Sequence, residues 1–120
     1  MKKLIIIRKG GNMKMSAAQV FKNLIYIRCY SVISSFHKLG LEEITNIFLE
    51  ISDLCKIINE SKMYHLLEKE EYNCLKKEIH FALQLIVDIS DLHPKNPREI
   101  FFLSQILLDK WVDTSCRLNY

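Results

Sequence analysis

Apolar residues recur at three- and four-residue spacing from Ser16 to Leu118, and the pattern breaks at only three places. The breaks are Leu39-Gly40, the stretch Asn59 to Lys62, and His93-Pro94-Lys95-Asn96-Pro97. Such spacing marks amphipathic helices, and no strand-like alternation follows residue 15. The first segment opens at Ser16, whose hydroxyl suits an N-cap. Its stripe is Ala17, Phe21, Leu24, Ile25, Val32, Ile33, Phe36 and Leu39, with Cys29 alongside, and Gly40 is predicted to end it in a left-handed conformation. Val20, Tyr26, Ile27 and Tyr30 fall off that stripe, and Arg28 is the only charge between Leu24 and Phe36. A helix apolar on more than one side is either central in its fold or shared with a partner.

The second segment carries Glu42 and Glu43 in its first turn, where the helix dipole favours acids. Its stripe is the cleanest in the chain, Ile44, Ile47, Phe48, Ile51, Leu54, Cys55 and Ile58, with Leu49 and Ile57 outside it. Ser61 is read as the cap of a third segment reaching about Leu92. Unbroken, that helix would be about 46 Å long at about 1.5 Å per residue. A break is therefore expected at Glu68-Lys69-Glu70-Glu71, before a second stripe of Leu75, Ile79, Ala82, Leu83, Ile86 and Ile89. Asn96-Pro97-Arg98-Glu99 places a capping residue, a proline at the first helical position and a glutamate three after the cap. The last helix then carries Ile100, Leu103, Leu107 and Trp111 on one stripe, with Phe101, Phe102, Ile106 and Leu108 on other faces. Short joints between such segments favour antiparallel neighbours. The predicted fold is all-α, an up-and-down bundle of four to five helices over residues 16–120, preceded by a short basic tail over residues 1–15.

A chain of 120 residues is one domain, large enough to bury a core without disulfides or a metal. The net charge of +3 is unevenly distributed. Lys2, Lys3, Arg8, Lys9 and Lys14 all lie in the tail, which has no acid, so the remaining residues carry 12 basic and 14 acidic side chains. The body is mildly acidic, and any contact with a polyanion falls to those five tail residues. The tail's apolar run, Leu4 to Ile7, is shorter than the roughly 7–15 residues of a signal peptide. Nothing in the chain approaches the roughly 18–20 uncharged apolar residues of a membrane span. These features predict a cytoplasmic protein. Gly10-Gly11-Asn12 reads as a flexible joint, and Met13 and Met15 offer alternative starts that would leave residues 1–14 outside the native protein.

The chain holds little catalytic vocabulary: no phosphate loop, no paired metal-ligand motif and no nucleophile elbow. Cys29, Cys55, Cys74 and Cys116 form no C-x-x-C pair; three fall on apolar stripes, which predicts buried free thiols in a reducing compartment. His37, His65, His80 and His93 lack the glutamate three residues earlier that helical di-metal sites use, so no metal or other cofactor is predicted. Arg28 and His37 are nine residues apart, which departs from the arginine and histidine spacing of helical defence ribonucleases. Ser34, Ser35 and Ser104 have no strand-to-helix elbow and no local base. Trp111, on a stripe, is expected in the core.

Two local resemblances add little. Leu103-Ser104-Gln105-Ile106-Leu107-Leu108-Asp109-Lys110 resembles the Ser-Gln-x-Leu-Asp signature of small sporulation aspartyl-phosphate phosphatases. Here, however, Asp109 comes one residue late, rotated by about 100° around the helix. The run from Asp91 through Arg98-Glu99-Ile100 to Leu108-Asp109-Lys110-Trp111 is similar to the last helices of the TFIIS N-terminal bundle, whose members dock disordered peptide motifs. Together these features predict no enzyme. The expected function is a protein-binding helical module of the adaptor, immunity-protein, chaperone or inhibitor type, self-associating as a homodimer. Its candidate interface is Tyr26, Ile27 and Tyr30 on the first helix with Phe101, Phe102 and Ile106 on the last. The alternative is a nucleic-acid-associated regulatory protein using the basic arm, a partner that the acidic body disfavours.

Overall fold

The computed structural model describes residues 16–117. They form α1 (Ala17–Ser34), α2 (Leu41–Met63), α3 (Lys69–Ile89) and α4 (Pro97–Arg117), with a 3-10 turn over Ser90–Leu92. The described residues are an all-α bundle with no strand. The basic tail lies outside them.

Local chemistry sets the helix ends. Ser16 and Gln19 form a reciprocal capping box at the start of α1: the Gln19 amide donates to Ser16 Oγ and the Ser16 amide to Gln19 Oε1. That helix stops at Ser34, five residues short of the predicted Leu39. Ser34 Oγ donates to the Tyr30 carbonyl, and Ser35 accepts the amides of both Lys38 and Leu39 in a turn. A hydroxyl placed like that of Ser34 competes with the helix for its backbone groups, and the Ser35 bonds are made by its main-chain carbonyl. Gly40 is therefore not the left-handed stop expected of it. It is extended (φ −85°, ψ 176°) at the N-cap of α2, and its amide donates to Glu43 Oε1 at 2.7 Å.

A second correction concerns Ser61, which caps nothing. It is buried inside α2, which runs on to Met63. The left-handed residue here is His65, at φ 62°. Around it the Leu66 amide reaches back to the Ser61 carbonyl and the His65 amide to that of Lys62. This pair of bonds is the Schellman arrangement, with histidine where glycine is usual. The acidic cluster is then the start of α3 rather than a kink: Glu70 and Glu71 occupy its first turn, and the Glu68 amide donates to Glu71 Oε1. The described residues thus hold four α-helices.

Pairs of contacts fix how the helices run. Arg28 faces Glu50, and these residues are equidistant from Leu39; Trp111 Nε1 donates to the Lys76 carbonyl, nearly symmetrically about His93. Each pair closes an antiparallel hairpin, α1–α2 and α3–α4. Tyr26 meets Glu78 and Phe36 meets His93, so α1 runs parallel to α3. The Asn59–Thr114 bond ties α2 to α4, which share the opposite direction. Accordingly α1 packs on α2 and α3, α4 packs on the same two helices, and α2 scarcely touches α3. The molecule is two hairpins laid side by side, with α1 and α3 in one layer and α2 and α4 in the other.

Between the layers lie Ile25, Cys29, Val32 and Phe36; Ile44, Phe48, Ile51, Cys55 and Ile58; Tyr72, Leu75, Ile79, Leu83 and Ile86; and Ile100, Leu107, Leu108 and Trp111. Trp111 is a core residue, 2% exposed. Ala17, predicted on the stripe, is exposed. Among the described residues no helix is long and apolar enough to cross a membrane.

Candidate functional site

Each layer turns an apolar surface outward. On the α1–α3 side, Tyr30 is 64% exposed, Ile27 62% and Phe81 70%, with Leu85 also exposed. Counted along the parallel helices from the Tyr26–Glu78 bond, Tyr30 falls level with Ala82, between Phe81 and Leu85 along α3. Tyr26 is only partly exposed. It donates to Glu78 Oε1 at 3.0 Å, with Lys22 Nζ 3.6 Å from the same oxygen, and stacks edge-on against Tyr30 at 6.3 Å. Burial first, and the neighbouring Glu78 carboxylate second, raise its phenol above the ordinary value of 10.0. Tyr26 thus supports Tyr30 from within the α1–α3 contact.

The exposed face of α1 is uncharged along its length: Gln19, Val20, Asn23, Ile27, Tyr30, Ser31 and Ser34. Its one cation beyond Lys22, Arg28, is drawn to the α2 side. There Nε lies 3.1 Å from Glu50 Oε1, as a charge contact off the N–H axis, and a terminal nitrogen donates to the Leu24 carbonyl. Phe81 and Leu85 carry no sequence signal that links them to this surface. They lie on α3, off its stripe, and only the parallel packing places them beside Tyr30.

On the α2–α4 side, Phe102 and Ile106 of α4 and Leu49 of α2 are exposed, with the exposed charges Asp53, Lys56, Glu99 and Lys110 on the same two helices. Phe101 is exposed on another side of α4, so the three predicted α4 residues do not form one patch. Below Leu49 a groove of about 320 Å³ opens between the two helices. Cys55, Leu107 and Trp111 make its floor and Met63 one end, with Lys56 and Lys110 on opposite walls. The inner wall is a closed polar chain. Tyr72 donates its hydroxyl to Asn59 Oδ1 at 2.8 Å, and Asn59 Nδ2 donates to Thr114 Oγ1 at 3.2 Å. The Thr114 hydroxyl in turn donates back to the Lys110 carbonyl at 2.8 Å.

The thiols and histidines divide by burial. Cys29 and Cys55 are buried and free, and burial pushes both thiols from 9.0 up to about 12. Cys74 and Cys116 are free but exposed, contrary to the expectation that most of the four are buried, because their helix positions turn away from the buried core. His37, His65 and His80 are exposed; His93 is buried and structural. Its Nδ1 accepts the Asn96 amide at 2.9 Å and the Lys95 amide at 3.3 Å, which leaves the proton on Nε2 to donate to the Leu39 carbonyl at 2.8 Å. Among the described residues no three His, Cys, Asp or Glu side chains are grouped to hold a metal. Ser34 and Ser104 spend their hydroxyls on carbonyls of their own helices. Lys2, Lys3, Arg8, Lys9 and Lys14, the candidate polyanion contacts, lie outside the described residues. No family model, no curated protein and no solved structure matches the chain.

Proposed function

We propose that this chain is a non-enzymatic protein-binding module of the cytoplasm whose working surface is the outer face of the α1–α3 layer, and that its first partner is a second copy of itself. The observation that carries this reading is the uncharged exposed face of α1, joined to Phe81 and Leu85 of α3. Depletion of charge around exposed aromatics distinguishes the centre of an interface from ordinary surface. Tyr30 and Phe81 alone expose roughly 300 Å², given about 150–250 Å² per aromatic side chain. With Ile27 and Leu85 beside them, the patch reaches the size that on monomers is often functional.

A second copy suits this face because its α1 half brings no charge to the contact, and the exposed charges that flank Phe81 and Leu85 on α3, Lys77 and Asp88, are of opposite sign. The α2–α4 face, with acids and bases among its apolar residues, would place its own charges against themselves. Light scattering of the full chain at micromolar to hundred-micromolar concentration tests the reading. The dimer is expected to dissociate on Tyr30→Glu or Phe81→Glu with the helical circular dichroism retained. A wild-type chain that stays monomeric throughout would contradict self-association. Association that survives both substitutions would contradict the choice of face.

A further inference from the structure

The α2–α4 groove is independent of that face, and its chemistry is different. Its floor is apolar, Cys55, Leu107 and Trp111, and at about 320 Å³ it falls at the small end of the roughly 300–1,000 Å³ of ligand pockets. The Asn59 amide is committed to Tyr72 and Thr114, so the inner wall presents a fixed surface rather than groups seeking partners. The mouth is otherwise. Lys56 stands three residues before Asn59 and Lys110 four before Thr114, so the Asn59–Thr114 bond sets the two lysines level on facing walls. Neither forms an ion pair with another described residue. Glu60, the one acid of the lining, lies a turn beyond Lys56 toward the Met63 end. Two unpaired ammonium groups over an apolar floor favour an occupant with one negative head and a short apolar body.

We infer that the groove between α2 and α4 binds a short apolar carboxylate, of the acyl-chain or aryl-acid class, with its head between Lys56 and Lys110 and its body over Cys55, Leu107 and Trp111. Trp111, the only tryptophan in the chain, reports on the floor directly. Octanoate, octanol and octyltrimethylammonium are titrated against the full-length protein while Trp111 emission is followed. A saturable change with octanoate is expected, and each lysine should contribute up to about fivefold in affinity, the upper range for an exposed charge pair. The double variant Lys56→Gln, Lys110→Gln alters only exposed side chains, so it should fold normally and bind octanoate no better than octanol. Equal affinity for octanol and octanoate in the wild type, preference for the cation, an unchanged octanoate affinity in the double variant, or no saturable change at millimolar octanoate would each overturn the inference.

Discussion

His93 shows how one side chain can hold a joint that composition alone marks only as a break. Its ring links the end of the α1 turn, through the Leu39 carbonyl, to the two amides that lead into α4, and it packs edge-on against Phe36 at 5.2 Å. Replacement by alanine removes a buried acceptor and a buried donor together. His93→Ala should lower unfolding stability by about 2–4 kcal/mol in urea titration. No change would mean that solvent serves those amides as well as the ring does. His65 offers the opposite case, a residue whose replacement should help. A left-handed conformation costs a residue with a Cβ about 1–2 kcal/mol, and glycine escapes that cost but loses more chain entropy on folding. His65→Gly is expected to raise stability by about 0.5–1 kcal/mol, read from the urea midpoint.

The two buried thiols carry a pH signature. In the unfolded chain they lose protons near 9, and in the folded chain only near 12. The protonated thiol is therefore the form that folding favours. Its contribution is complete below about pH 9 and declines as pH rises toward 12. Cys29→Val should flatten the alkaline fall in stability. Cys74 and Cys116 should react with a thiol reagent in the native protein, while Cys29 and Cys55 should react only on unfolding. Four equal labelling rates would contradict this division.

At the scale of elements, the period of the apolar residues carried the fold. Ile44 to Ile58 is a one-sided stripe and packs as one, and Asn96-Pro97 opens α4 where its chemistry places it. The misplaced ends have local causes. The stop after α1 coincides with the Ser34 hydroxyl bonding backward and the Ser35 carbonyl closing a turn, and the stop after α2 depends on a histidine in a conformation that sequence assigns to glycine. The candidate face was half legible. Tyr30 and Ile27 stand out because nothing charged surrounds them on α1, whereas Phe81 and Leu85 join them only through the packing of α1 along α3. Phe101, by contrast, parts from Phe102 by the 100° that separates adjacent helical positions.

At the scale of the whole molecule, two parallel-stacked hairpins bury one core between two layers and leave each layer an outer side. Hairpins stacked in this way extend a core through their neighbours in repeat proteins, and an uncapped face invites a further layer. We propose that this layer is added on the α1–α3 side, in the form of a second copy. The most direct test is a concentration series of amide and methyl chemical shifts on the full-length protein. Shifts that move on dilution should cluster at Ile27, Tyr30, Phe81 and Leu85 and leave Leu49, Phe102 and Ile106 still. Concentration-independent spectra, or movement confined to the α2–α4 face, would contradict the account.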